Sequence, residues 1–114
     1  MKTLTDETLE QVAGFLRSMA EPTRLKILRA LHDGEKTVSE IMEETGANQS
    51  NISKHLSLLS SSHIVTFRKD GTSAYYKISD PNITEICDTV CRSIAERIRQ
   101  ERAMLKNIQR GVAL

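Results

Sequence analysis

The chain has 114 residues, with 16 Lys and Arg against 15 Asp and Glu and a net charge of +1. That is one domain's worth of chain, too short for a catalytic domain beside a regulatory one. The balanced charge leaves any nucleic-acid surface to local patches. Apolar residues make up 39% and charged ones 27%, while aromatics are 4% and prolines only two. This excludes a disordered or loop-rich chain and suits a mostly helical domain with aliphatic packing layers.

No apolar run reaches the roughly 18 residues of a membrane span. The acidic stretch from Met1 to Glu10 lacks the apolar centre of a signal peptide, so the expected location is the cytoplasm. Two cysteines are too few for a secreted disulfide scaffold and are expected to rest as thiols.

The elements follow one another through short turns, without repeats or linkers. Leu9, Val12, Phe15, Leu16 and Met19 recur at helical spacing and predict a first helix over about 5–20. Glu21-Pro22 ends it, and Pro22 suits the first position of a second helix running to about His32. Thr37 with Glu40 forms a capping box for a short third helix. Gly46-Ala47-Asn48 makes a tight turn, and Asn48 caps a fourth helix over about 49–61. Then the period shortens to that of strands. Ile64–Lys69 and Ser73–Ser79 flank Asp70-Gly71, a two-residue hairpin signal. Asp80-Pro81 opens a last helix over about 81–108. The fold class expected is mostly α with a β-hairpin wing (α+β). It is a single winged helix-turn-helix domain over 1–114, with the helix-turn-helix at about 37–61 and the wing at about 64–79.

On a helical wheel Ile52, Leu56 and Leu59 form the buried stripe of the fourth helix. Ser50, Lys54 and Ser57 lie opposite, flanked by Asn51 and Ser53, with Gln49 and His55 at the boundary. The outward face is small, polar and cationic, and no acid occurs between Thr45 and Lys69. Small hydroxyls allow close approach to bases, Asn and Gln pair with adenine, and Lys takes guanine or phosphate. Arg68 and Lys69 stand beside the hairpin turn, where a wing meets backbone or minor groove. Taken singly, each feature also fits a solvated helix face or a charged sheet edge that discourages aggregation. Together they point to DNA.

These residues carry a resemblance. Met19-Ala20-Glu21-Pro22-Thr23-Arg24-Leu25-Lys26-Ile27-Leu28 is similar to the "LADPTRLKIL" signature of the ArsR/SmtB winged-helix repressors. Glu40-Ile41 followed by Asn48-Gln49-Ser50-Asn51-Ile52-Ser53-Lys54-His55-Leu56 resembles that family's recognition segment. Gly71 with Ala74-Tyr75-Tyr76-Lys77-Ile78 resembles its wing. The resemblance spans about residues 12–98. It implies a cytoplasmic homodimer on a palindromic operator, paired through its first and last helices (about 5–20 and 81–108) and released by an inducer. It also implies DNA contacts at Gln49, Ser50, Asn51, Ser53, Lys54 and His55, and at the wing residues Arg68, Lys69, Gly71 and Thr72. For His55, packing beside the recognition helix is the competing role. The residues agree with a dimer: Ile83, Ile86, Val90, Ile94 and Ile98 form a stripe on a long helix, more apolar surface than a small winged domain covers. Such a dimer sets two reading helices about 34 Å apart. Arg92, Arg97, Arg99, Arg102, Lys106 and Arg110, interleaved with Glu96 and Glu101, read as a solvated face.

The family's metal sites are not reproduced. Ser39-Glu40-Ile41-Met42-Glu43 carries no thiol where one family site has cysteines. Around the last-helix site, at Asp80, Asn82, Ser93 and Glu96, only acids remain, and no His follows His63. A reactive-sulfur pair shared with the second helix is also missing, since Arg29 stands there without a cysteine. What remains is Cys87 and Cys91, spaced i, i+4 on one helix face. Three roles stay open for them. They are small buried apolar residues, ligands for a soft inducer such as As(III), Cd(II) or Cu(I), or thiols that sense oxidants or reactive sulfur. No cofactor is required.

An enzyme is not expected. G-x-S-x-G, P-loop and H-E-x-x-H patterns are missing, and His32, His55 and His63 are scattered. The competing binding classes are a winged-helix regulator without cysteine sensing, and a winged helix used only for dimerisation or protein contact.

Overall fold

The computed structural model describes residues 1–112, which fall into two compact units, the first ending at Pro81 and the second beginning at Asn82. The order is α1 (Asp6–Met19), α2 (Pro22–Ala30), β1 (Lys36–Thr37), α3 (Val38–Thr45), α4 (Gln49–Ser61), β2 (Val65–Asp70), β3 (Ser73–Ile78) and α5 (Pro81–Val112). This is the mostly helical winged architecture that the sequence suggests.

Each helix of the first unit starts on a side chain that satisfies an otherwise orphaned backbone N–H. Thr5 caps α1 through the N–H of Thr8, and Glu21 caps α2 through the N–H of Arg24, with Pro22 at the first turn. Thr37 and Glu40 close the expected capping box on α3, and Asn48 Oδ1 accepts from the N–H of Asn51 at 2.8 Å to open α4. Gly46 ends α3 with φ 74°, a left-handed conformation that glycine takes without Cβ strain.

The core of this unit is aliphatic. Ile27, Ile41, Ile52, Leu56, Leu59, Ile64 and Val65 are essentially sealed from solvent. They come from α2, α3, α4 and the start of the wing, and those elements pack on one another. The apolar stripe assigned to α4 is therefore the face it buries, which leaves the opposite face outside.

The sheet has the order β1-β3-β2 and is antiparallel throughout. Strand β1 is an addition to the predicted elements. Its two residues pair with Tyr75 and Tyr76 of β3 and tie the wing back to the start of α3. The hairpin turn lies one residue further on than the Asp70-Gly71 signal suggests. Asp70 pairs with Ser73, so Gly71 and Thr72 are the two loop residues. Gly71 has φ 63°, and Thr72 is not among the positive-φ residues. A glycine alone at the first loop position is the signature of a type II′ turn.

The second unit is the rest of α5. The whole helix has 32 residues, about 48 Å long at 1.5 Å per residue. Its end lies beyond the predicted boundary near 108. Ile83 is buried, whereas Val90 is 52% exposed, and Ile94 and Ile98 are exposed as well. The exposed apolar series continues through Leu105, Ile108 and Val112. Arg92 pairs with Glu85, Arg97 with Glu101 and Arg99 with Glu96 along the polar side. Among the described residues, no helix is long and apolar enough to cross a membrane.

Candidate nucleic-acid interface

The turn Gly46-Ala47-Asn48 sets α4 after α3, and Asn48 holds its first turn open. Gln49, Ser50, Ser53, Lys54 and Ser57 are exposed, and Asn51 is half-buried. Among the described residues, the side chains of Gln49, Ser50, Asn51, Ser53 and Lys54 form no hydrogen bond or ion pair within the chain. The first turn of α4 carries no acid. It presents backbone N–H groups and the positive end of the helix dipole to whatever approaches. Chemically, this face offers hydroxyls, two amides and one ammonium, all without internal partners.

His55 is different. The sequence offers it as a DNA contact with packing as the alternative, and its burial here is the feature that the packing role needs. The residue is 8% exposed, because the wheel boundary on which it lies is covered by α2. Its Nδ1 lies 3.3 Å from Arg24 Nη1, and its Nε2 lies 3.8 Å from Glu21 Oε2. The ring thus faces α2 and the residue that caps it rather than the outward face of α4.

The wing places Arg68, Lys69, Gly71 and Thr72 on the surface. Arg68 is already engaged. Its Nε and Nη2 donate to the Glu35 carboxylate at 2.6–3.2 Å, and its guanidinium sits 4.5 Å over the ring of Tyr75. Arg68 holds the Glu35 carboxyl below the usual range, chiefly through its hydrogen bonds. Glu35 is 33 residues away in sequence, so this partner is brought to the wing only in three dimensions, whereas Asp70, 3.9 Å from Arg68 Nη1, belongs to the wing itself. Within the wing, the facing rings of Phe67 and Tyr76 lie 5.3 Å apart between centres, tilted by 35°, a cross-strand aromatic pair that supports β2 against β3.

On α5, Cys87 is half-buried and Cys91 exposed, and both are free thiols. Burial pushes the Cys87 thiol up, with Cys91 and Asp88 adding smaller contributions in the same direction. Among the described residues, no group of three or more His, Cys, Asp or Glu side chains is arranged to hold a metal.

A short helix, a glycine turn, a second helix with a free polar face and a hairpin directly after it define a winged helix-turn-helix, a DNA-binding class. The comparisons give the particular family. The model of the bacterial regulatory proteins of the arsR family matches residues 21–66. A "probable mercury resistance operon repressor" from Streptomyces lividans is 38% identical over 77 residues, 68% of this chain and 62% of that protein. The chain thus spans under two thirds of that relative. An uncharacterised helix-turn-helix transcriptional regulator from Mycobacterium tuberculosis is 32% identical over 101 residues, 87% of this chain and 88% of its own. The solution structure of a homodimeric winged helix-turn-helix DNA-binding domain from Mycobacterium bovis superposes with a TM-score of 0.75 at 31% identity. It covers 88% of this chain and 95% of that one. The chain belongs to the ArsR family of transcriptional regulators, and its relatives are DNA-binding proteins rather than enzymes.

Proposed function

We propose that this protein is a cytoplasmic homodimeric repressor that reads a palindromic operator with α4. The observation that carries this is the face of exposed Gln49, Ser50, Ser53 and Lys54 with half-buried Asn51, whose side chains have no partner among the described residues. In the major groove, amides and hydroxyls on such a face pair with base edges, and Lys54 takes guanine or a phosphate. The wing, through Lys69 and the backbone at Gly71 and Thr72, lies against the flanking sugar-phosphate strand, with Arg68 a weaker contributor because Glu35 holds it. The exposed apolar residues Leu9, Val12 and Leu16 of α1 and Val90, Ile94 and Ile98 of α5 support a second copy as their cover. A relative whose structure is described as homodimeric supports the same state.

The signal in this reading is a thiophilic agent at Cys87 and Cys91. Two sulfurs one helical turn apart make a bidentate soft donor set, which suits As(III), Cd(II) or Cu(I). The relative named for a mercury resistance operon adds Hg(II) to that class. Each chain supplies only these two thiols, and a twofold dimer supplies four. The raised Cys87 thiol favours a second reading in which the cysteines are packing residues, because a protonated thiol is a poor nucleophile toward oxidants.

The test is fluorescence anisotropy of reduced protein with the DNA upstream of its gene and with duplexes enriched from a random pool. It is repeated with As(III), Cd(II), Cu(I), Hg(II), polysulfide and peroxide. Salt-dependent specific binding, released by one agent in the wild type but not in Cys87→Ser/Cys91→Ser, is expected. Failure to enrich any duplex overturns DNA reading. Specific binding that no agent releases overturns cysteine sensing and leaves the packing role.

A further inference from the structure

The buried side of α4 holds a polar cluster that contacts no DNA in the arrangement above. Arg24 of α2 links three helices there. Its Nη1 lies 3.3 Å from His55 Nδ1 on α4, and its Nη2 donates to the carbonyl of Arg17 on α1 at 3.3 Å. Its backbone N–H donates to Glu21 Oε2 at 2.9 Å, and Glu21 in turn faces His55 Nε2. The Nε of Arg24 is buried and has no partner.

The donor inventory fixes the polarity of this cluster. A guanidinium only donates, so His55 Nδ1 accepts and the ring proton sits on Nε2, toward Glu21. The Glu21 carboxyl is held below the usual range, chiefly by the backbone N–H of Arg24, with the backbone N–H of Thr23 and the Arg24 guanidinium contributing less. Among the described residues, no charged group of α1, α3 or β2 comes within hydrogen-bond or ion-pair distance of the ring.

Such a cluster is a poor choice for stability alone. Half-satisfied buried polar groups cost free energy that an apolar layer would not. Its advantage is direction. The stripe Ile52, Leu56 and Leu59 resists separation of α4 from the core, but apolar packing is non-directional and tolerates small rotations. Hydrogen bonds with fixed angles do not. Lys54 precedes His55 directly, so a rotation of α4 that moves the ring also moves the reading face.

We propose that Glu21, Arg24 and His55 are positioning residues that fix the rotation of α4 against α1 and α2. They thereby set specific DNA affinity without touching DNA. This rests on the reading of α4 as the DNA-contacting helix. A site held to within about 0.5 Å keeps its specific contacts, whereas contacts to phosphates tolerate looser placement.

The experiment measures affinity for a duplex selected from a random pool and for a scrambled duplex of equal length. Full-length wild type is compared with His55→Ala, His55→Gln and Arg24→Lys. Glutamine offers a carbonyl to Arg24 and an amide N–H toward Glu21, the polarity of the neutral ring. His55→Ala is expected to weaken the selected duplex about tenfold, the loss of one hydrogen bond to a charged group, and to leave the scrambled one unchanged. His55→Gln recovers most of that loss. Arg24→Lys keeps the charge but not the fork, and falls between. Leu28→Ala, which removes buried apolar volume only, keeps the ratio of selected to scrambled affinity. Wild-type affinity in His55→Ala, or an equal loss on both duplexes, overturns the positioning role. If His55→Ala does not fold, wild-type affinity in Arg24→Lys overturns it instead. If Lys54→Ala and Ser50→Ala also leave the selected duplex unaffected, the failure lies with α4 as the reading helix.

Discussion

The recognition face of α4 and the wing look alike in sequence, each a cation among small polar residues, but the fold treats them in opposite ways. Among the described residues, the side chains of Gln49, Ser50, Asn51, Ser53 and Lys54 on α4 keep their donors and acceptors free. Arg68 on the wing is clamped by Glu35 and laid over Tyr75. A free group gains its full interaction when DNA arrives, whereas a paired one first gives up an ion pair. A basic residue near a motif is therefore an incomplete argument for DNA contact. Whether tertiary structure has already engaged that residue decides how much of its charge is available.

The sharpest way to break this contrast is to reverse charge on the free face. Lys54→Glu is expected to lower DNA affinity by about a hundredfold or more, since it sets a like charge against phosphate in a close contact; anisotropy at fixed salt measures it. Removing the cations one at a time comes next. Lys54→Ala is expected to cost about tenfold and to reduce the salt slope by about one, whereas Arg68→Ala costs less than about threefold. Equal losses at the two sites would erase the distinction between α4 and the wing. A smaller effect comes from the turn. Gly71→Ala forces a β-carbon into a left-handed conformation and is expected to destabilise the fold by about 1 kcal/mol, visible in urea unfolding. The smallest concerns the clamp itself. Arg68 lowers the Glu35 pKa in the folded chain, so the pair stabilises the fold above the ordinary glutamate pKa of about 4.3. That contribution is lost as pH falls through the lowered value. Carboxyl shifts in an NMR titration are expected to show Glu35 titrating below the ordinary range in the wild type and within it in Arg68→Ala.

Much of the fold was legible because its boundaries are chemical events local to the chain. Thr37 with Glu40, Asn48, and Pro22 after Glu21 each announce a helix start that the structure keeps. The aliphatic stripe Ile52, Leu56, Leu59 has the helical period and is buried. What was not legible depends on partners distant in sequence. Strand β1 has two residues, too few for any periodicity, and exists because β3 pairs with it. The Glu35–Arg68 clamp joins residues brought together only by that sheet. The wheel put His55 on a boundary, and Arg24 of α2 with its cap Glu21 decided its side. The hairpin loop moved one residue because Asp70 pairs with Ser73 and leaves Gly71 and Thr72 to turn the chain. Neither the cysteine chemistry nor the operator is written in local patterning, since both depend on a partner outside the chain.

The most direct test of the central claim is NMR on the isotopically labelled protein bound to a selected duplex, read as intermolecular NOEs. The account expects contacts from Ser50, Asn51, Ser53 and Lys54 to major-groove base protons, with Lys69 and Thr72 near sugar protons at the flank and none from His55. A bound complex in which α4 gives no NOE to DNA, or in which the wing supplies all the base contacts, would contradict it.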